Sequence, residues 1–379
     1  MDQAHITAEE CLARAGALLP ALAAAENATA ARREVAAENV AALLRAGLTR
    51  VLQPRRFGGM QGSFLTFSRI VEALAGACAA SAWVYAVLGE HQWIIGCFPE
   101  QAQIDVWGTD PMAVASSSLA PRNVARAVEG GYVLSGDFPF SSGSAHAQWA
   151  ILGAEAEGTR YFLVPMATLR RIDDWHVLGL RGTGSQTLRV ADVFVPAHRA
   201  VLLSDLQRGT TPGAAVHPDY PLLRAPRDFL TPFSLPPVAF ALARRAQGLV
   251  VPALRARLSR TNPPPIGTET TLMAIAEADA ELDTAHLLLE TRRAEACAMV
   301  DAGQPIPADV VLRVRRDIAF AQRHIRTGVE RLAGELGSHI VYDDSPLQAI
   351  LRDVLTIATH RVWSWPRAML PYGQWRLGR

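Results

Sequence analysis

The sequence predicts an α+β protein in which a helical segment, a β segment and a helical bundle follow one another along the chain. Three observations predict this order. Residues 1–110 carry apolar side chains at helical spacing among many alanines, short runs broken by Gly, Pro and Asp begin at Pro111, and helical spacing returns after a proline-rich stretch. The 379 residues are 50% hydrophobic and 19% charged, which excludes a disordered chain and suits two or three domains with ample core. With 37 basic and 36 acidic side chains, and no basic cluster apart from acidic neighbours, nucleic acid is not an expected partner.

From Ala8 to Gly47 the pattern is Ala-rich and helical, and Gly47 is a suitable helix stop. A loop with Pro54, Gly58 and Gly59 follows, and Phe64 to Val106 lacks strand alternation, so four or five helices are expected in the first segment. The longest uncharged apolar-leaning run, Ala73 to Gly89, is short for a membrane span and rich in Ala, Gly and Ser. It predicts one tightly packed buried helix and no membrane association. Asp2, Glu9 and Glu10 stand where a signal peptide would be basic and then apolar. Cys11, Cys78, Cys97 and Cys297 form no C-x-x-C pair and read as free thiols rather than zinc ligands, so a cytoplasmic location is expected.

Met112–Ser118, Val124–Val128, Tyr132–Ser135, Trp149–Leu152, Tyr161–Val164 and Thr187–Pro196 read as strands. Glu129-Gly130-Gly131 suits a hairpin, because glycine tolerates the positive φ of tight turns. Residues 201–232 hold five prolines and are expected as loop. Beyond them, long helices are separated at Asn262-Pro263-Pro264-Pro265 and at Gly303-Gln304-Pro305-Ile306-Pro307. Another starts at Ser345-Pro346, with Ser as cap and Pro in the first turn. The domain boundaries that follow are 1–110, 111–215 and 216–379.

No phosphate-binding loop, H-E-x-x-H or G-x-S-x-G is present. Gly179-Leu180-Arg181-Gly182-Thr183-Gly184 fails the dinucleotide fingerprint, since the next required glycine falls on Thr187 and a strand follows. Asp353 and His360 are seven residues apart, about 20° on a helical wheel, so both are expected on one face of the last helix. Leu347, Ile350, Leu351, Val354 and Ala358 supply the apolar stripe beside them. His360 reads either as an ordinary boundary histidine or as one aimed at a cavity. His91, followed by Gln92 and Trp93, and His146 in a Ser-rich stretch leave the same choice open.

Several blocks, in order, carry a wider likeness. They are Pro54-Arg55-Arg56-Phe57-Gly58-Gly59, Ala80-Ser81-Ala82-Trp83-Val84 leading to His91, and Phe98-Pro99-Glu100-Gln101-Ala102-Gln103. Next come Gly130-Gly131-Tyr132-Val133-Leu134-Ser135-Gly136, Phe140-Ser141-Ser142-Gly143, and Trp149-Ala150-Ile151-Leu152-Gly153. Gly179 to Ser185, Val195-Pro196, and Pro346-Leu347-Gln348 with Arg352-Asp353 and His360 complete the set. Together they resemble the acyl-CoA dehydrogenase fold, most closely its flavin-dependent monooxygenase branch, which includes oxygenase components of two-component phenol hydroxylases.

The resemblance implies an N-terminal helical domain, a middle β-barrel-like domain and a C-terminal four-helix bundle, assembled as a homotetramer. It also implies a separate NAD(P)H:flavin reductase that supplies reduced flavin, FMN or FAD, with molecular oxygen as co-substrate. A flavin hydroperoxide would then hydroxylate a small aromatic or natural-product substrate. By the same resemblance, Phe140 packs near the flavin and Ser142 hydrogen-bonds its reactive nitrogen and, as a donor, stabilises the adduct, and Ser141, Gly143, Arg181 and Ser185 complete the cofactor set. His360 is the acid or base, its imidazole being near an unperturbed pKa of about 6.5, with Asp353 orienting it. His91 and Trp83 are on the substrate side. A dehydrogenase of this fold is the alternative, but its catalytic Glu is missing from both the late loop Leu370-Pro371-Tyr372-Gly373-Gln374 and the helix Ala241 to Gly248. Gly334-Glu335-Leu336-Gly337 and Ala349 depart from the pattern that contacts the flavin phosphates.

Overall fold

The computed structural model describes residues 6–260 and 266–379, so Asp2 and the expected break at Asn262-Pro263-Pro264-Pro265 lie outside the described residues. Helix α1 (Ala8–Ala24) begins with a reciprocal cap, in which the Thr7 hydroxyl accepts from Glu10 N–H while the Glu10 carboxylate accepts from Thr7 N–H. Helices α2 (Glu26–Arg32) and α3 (Ala37–Arg45) follow, and Gly47 turns the chain with φ +75°. Then come α4 (Phe64–Ala75), α5 (Ala79–Gly96) and α6 (Glu100–Trp107), one helix more than the upper expectation of five.

The uncharged run is not one helix. Gly76, Ala77 and Cys78 interrupt it between α4 and α5, and α5 continues past Glu90 to Gly96 with all 18 residues buried. Gly89 allows that close packing, because a Cβ there would stand 2.7 Å from the Phe67 ring on α4. No helix among the described residues is long and apolar enough to cross a membrane.

The β segment contains β1 (Ala115–Val124), β2 (Arg126–Val128), β3 (Gly131–Ser141) and β4 (Trp149–Glu155). It continues with β5 (Thr159–Pro165), β6 (Arg170–Ile172), β7 (Gln186–Pro196) and β8 (Ala200–Leu202). Val128 pairs with Gly131 across the turn at Glu129-Gly130, where Gly130 has φ +76°, so the hairpin forms where its glycines predict. One sheet runs β1-β4-β5-β8 and the other β2-β3-β7-β6, and only β1 with β4 is parallel among these pairs. Leu134, Phe138, Leu188 and Val190 of one sheet share an apolar core with Leu152, Phe162 and Val164 of the other. Strands β6 and β8 span three residues each, too short for alternation to reveal.

Residues 201–232 are not simply loop. They form α7 (Leu203–Arg208), α8 (Pro212–Val216) and α9 (Arg227–Leu230) with intervening 3-10 turns, and several prolines occupy first-turn positions where no N–H is needed. The bundle consists of α10 (Pro236–Ser259), α11 (Thr268–Asp301), α12 (Ala308–Glu335) and α13 (Pro346–Ala358). Ser345 caps α13 by accepting from Gln348 N–H at 3.4 Å, as its sequence predicts. A further helix, α14 (Trp365–Arg376), takes up Leu370 to Gln374, which were expected as loop. The nearly buried Arg293 ties α11 to α4 through Glu72 at 3.0 Å and Ser68 at 3.2 Å.

The glycine-rich segment 179–185 joins β6 to β7 and leans on α13. Leu180 N–H donates to the Asp353 carboxylate at 2.6 Å, and a Cβ on Gly179 would fall on the Arg352 carbonyl. Backbone cannot give way as a flexible side chain can, so Gly179→Ala is expected to cost about 1–3 kcal/mol through overpacking. A lowered urea midpoint with unchanged far-ultraviolet dichroism would show it; an unshifted midpoint would mean that the segment and α13 can separate freely.

Candidate active site

A cavity of about 560 Å³ opens between α5, the β segment and the end of the bundle. Trp83, Val87, Glu90 and His91 face it from α5, at spacings of four, seven and eight residues that put them on one side of a helix. Ser142 and Phe140 reach it from the end of β3, Thr183 and Ser185 from the glycine-rich segment, and His360 from beyond α13. The β3–β7 register shifts between Phe138 and Ser141, and Phe140 within this bulge has φ +65°. Its ring is thereby turned outward, 60% exposed, edge-on to Trp175 at 6.0 Å and facing the Arg122 guanidinium at 5.7 Å.

A chain of hydroxyls crosses this wall. Trp83 Nε1–H donates to Ser142 Oγ at 3.2 Å, Ser142 Oγ is 2.6 Å from Ser185 Oγ, and Ser185 Oγ is 2.7 Å from Thr183 Oγ1. Thr183 Oγ1 in turn donates to the Leu180 carbonyl at 2.9 Å. Each hydroxyl has one proton, and the carbonyl can only accept, so the direction is fixed: Ser185 donates to Thr183 and Ser142 donates to Ser185. Ser142 therefore has a lone pair left for a ligand but no proton.

The two histidines have opposite tautomers. His91 Nδ1–H donates to the Ala115 carbonyl at 2.6 Å, leaving Nε2 as an acceptor. His360 Nδ1 accepts from Val362 N–H at 3.3 Å, so Nε2 carries the proton. Burial pushes both imidazoles down to about 4, and the nearby Arg227 adds to it in each case. Both are neutral at cellular pH, which replaces the expectation of an imidazole titrating near 6.5. The His360 ring is edge-on to Trp83 at 5.6 Å and tilted against Trp363 at 4.8 Å.

His360 does not share a helix face with Asp353. Helix α13 ends at Ala358, and His360 begins a separate 3-10 turn, Arg361–Trp363, after the Thr359 cap. The Asp353 carboxylate holds Leu180 instead, whose φ is +52°, and burial pushes its pKa up to about 6. Three expected cofactor residues do not line the cavity. Ser141 is buried with its hydroxyl on the Phe138 carbonyl, Gly143 turns with φ +68° against Val84, and Arg181 is exposed. His146 also lies away from it, in the 3-10 turn Ser144–His146. The cavity instead gains charged groups that sequence reasoning missed: Glu90, Arg122, Arg227, Asp228, Arg315, Arg361 and Arg367. Glu90 alone had a signal, as the residue seven after Trp83 on the same helical face.

The family model for the C-terminal domain of acyl-CoA dehydrogenases matches residues 236–365. The flavin-dependent monooxygenase oxygenase subunit HsaA of Rhodococcus jostii is 33% identical over 373 residues, which are 96% of this chain and 97% of that protein. The chain belongs to the flavin-dependent monooxygenases of the acyl-CoA dehydrogenase fold. The oxygenase component of an FADH(2)-dependent resorcinol hydroxylase from Rhizobium sp. is 34% identical, with 91% of this chain and 88% of that protein covered. The crystal structure of 3-HSA hydroxylase from Rhodococcus sp. RHA1 superposes with a TM-score of 0.91 at 32% identity, covering 97% of each chain.

As an oxygenase component, this monooxygenase uses reduced flavin and works beside a separate reductase component. Its residues fit that cofactor. Reduced flavin carries an N–H at its reactive nitrogen, and Ser142 offers an acceptor backed by Trp83 and Ser185. Phe140 and Trp175 supply aromatic surface on the same side. Neither position where a dehydrogenase would place its catalytic Glu, residues 241–248 or 370–374, lines the cavity.

Proposed function

We propose that this monooxygenase hydroxylates a phenol or a related aromatic ring held between His91 and His360. The complementary tautomers support this reading. One cavity offers a bare imidazole nitrogen to accept a phenol O–H and an imidazole N–H to donate. Acceptance by His91 polarises the O–H bond and raises the electron density of the ring, which favours attack on an electrophilic oxygen. His360 presents its Nε2 proton where oxygen is transferred. Trp83, Val87 and Leu180 exclude water around them. Bound reduced flavin supplies the electrons that activate molecular oxygen, the co-substrate. Likeness to the FADH(2)-dependent relative makes FAD the flavin we assign.

The same proposal includes a homotetramer, supported by the exposed apolar Leu272, Met273 and Leu287 of α11 and Leu370 and Trp375 of α14. It also includes a cytoplasmic location, supported by four free cysteines.

The test is a coupled assay with an NADH:flavin reductase, FAD and a panel of phenols including resorcinol, in which product mass must rise by one oxygen. NADH and oxygen consumption yielding only hydrogen peroxide with every phenol would sink the proposal. Within that assay, Ser142→Ala removes the acceptor and leaves Trp83 Nε1–H buried without a partner. Product formed per oxygen consumed is expected to fall about tenfold, the equivalent of one hydrogen bond of roughly 1–1.5 kcal/mol.

A further inference from the structure

The chain has a formal charge of only +1, yet its cavity is far from neutral. Arg122, Arg227, Arg315, Arg361 and Arg367 line it against two carboxylates, Asp228 and Glu90, an excess of three positive charges. Both acids are already engaged. Asp228 lies 3.2 Å from Arg227 Nη1 and 3.6 Å from Arg315 Nη1, and it accepts from Gln207 at 3.2 Å. Glu90 is buried, with Arg227 and the hydroxyls of Ser234 and Thr231 around it. Among the described residues, no carboxylate is within ion-pair distance of Arg122, Arg361 or Arg367. Burial, and after it Arg367, Arg227 and Arg122, hold Arg361 below the ordinary guanidinium value. Like charges have thus been gathered at one opening, where low-dielectric walls focus the field on an incoming anion.

We infer that the aromatic substrate carries a carboxylate on a short tail, and that Arg361, with Arg367 and Arg122, receives it while the ring lies between His91 and His360. This rests on reading the cavity as the site of aromatic hydroxylation. The guanidinium fork matches a carboxylate in two parallel hydrogen bonds, and three such forks free of counter-ions suit an oxyanion better than a neutral group. Arg361 follows His360 directly and both line the cavity, so ring and charge are received on one wall, and the tail length is left to the titration series. Arg361 and Arg367 belong to the His360 wall, beyond α13 and in the first turn of α14, whereas the Ser142 chain belongs to the β wall. An oxyanion could also come from the flavin phosphate, and the experiment separates the two sources.

The full-length chain is titrated with 4-hydroxyphenyl alkanoates of increasing tail length, each beside its methyl ester, with quenching of tryptophan fluorescence as the readout. Trp83 and Trp175 both line the cavity. At least one acid is expected to bind tenfold or more tightly than its ester. The difference should shrink as sodium chloride is raised and disappear in the double variant Arg361→Ala with Arg367→Ala, while FAD affinity stays within twofold. A series in which no acid binds better than its ester, or in which nothing binds, overturns the inference. Loss of FAD affinity in the double variant also overturns it, because the arginines would then hold the flavin phosphate. Turnover is not measured here, so failure of the hydroxylation reading is seen separately in the coupled assay.

Discussion

His360→Ala is expected to lower hydroxylation about a hundredfold, the low end of what a positioned proton donor contributes, while flavin affinity changes less than threefold. The asymmetry follows from placement. The flavin-facing acceptor we propose is Ser142, held by Trp83, Ser185 and Thr183, and none of these bonds involves His360. His360→Asn should recover part of the loss, since an amide can accept from Val362 N–H and still present an N–H of its own. Stopped-flow measurement of product formation beside equilibrium flavin titration separates the two effects. Parallel loss of flavin affinity and turnover would mean that the ring is only a packing element against Trp83 and Trp363. Because burial holds His360 near 4, its ionisation should leave no inflection in the rate between pH 6 and 8.

Asp353→Ala should destabilise the protein by about 1–3 kcal/mol, since it leaves the Leu180 N–H without its acceptor. It also frees the left-handed turn at Leu180, which carries Thr183 and Ser185, so flavin affinity should fall as well. Asp353→Asn keeps an acceptor and isolates the charge. Burial lifts the native pKa of Asp353 to about 6 from the usual 3.8, so between those values the native state binds the proton and the unfolded state does not. Stability from this group therefore falls as pH rises from about 4 to 6, by on the order of 3 kcal/mol.

His91 and His360 act in the opposite sense. Their native pKa values near 4 lie below the unfolded 6.5, so their contribution is complete above pH 6.5 and is lost as pH falls toward 4. In the wild type the two slopes partly cancel. Asp353→Asn should expose the histidine slope, making urea midpoints fall more steeply on acidification while equalling or exceeding the wild type at pH 7. Unchanged slopes would show that Asp353 is ionised throughout that range.

Local chemistry made part of this molecule readable in advance. The glycine pair at the β2–β3 hairpin, the Ser345 cap and the small-residue packing of α5 each state their conformation within a few residues. His360 did not, because the helical-wheel relation to Asp353 assumes that α13 continues, and nothing in Ala358-Thr359 marks the stop. At the stop, Trp363 Nε1 reaches back to donate to the Ile357 carbonyl at 2.9 Å, a contact that the helical wheel does not anticipate. The hydroxyl chain was half visible: Ser142 and Ser185 were singled out, but the proton order depends on the carbonyl of Leu180. The arginine cluster was invisible for a different reason. Its members are drawn from β1, α9, α12, α14 and the turn after α13, so no run of basic residues along the sequence announces them.

The full burial of α5 has a kinetic meaning. A helix with none of its 18 residues on the surface is expected to exchange its amide hydrogens chiefly through global opening, which hydrogen–deuterium exchange would show. The wall that carries Trp83 and His91 is therefore expected to stay fixed on the timescale of a catalytic cycle. Facing it, residues 356–367 include the exposed Thr359, Arg361 and Arg367 and are joined by short turns. Substrate entry and product exit become properties of that second wall, and the pace of traffic through the cavity can be tuned there without disturbing the imidazole proposed to bind the ring.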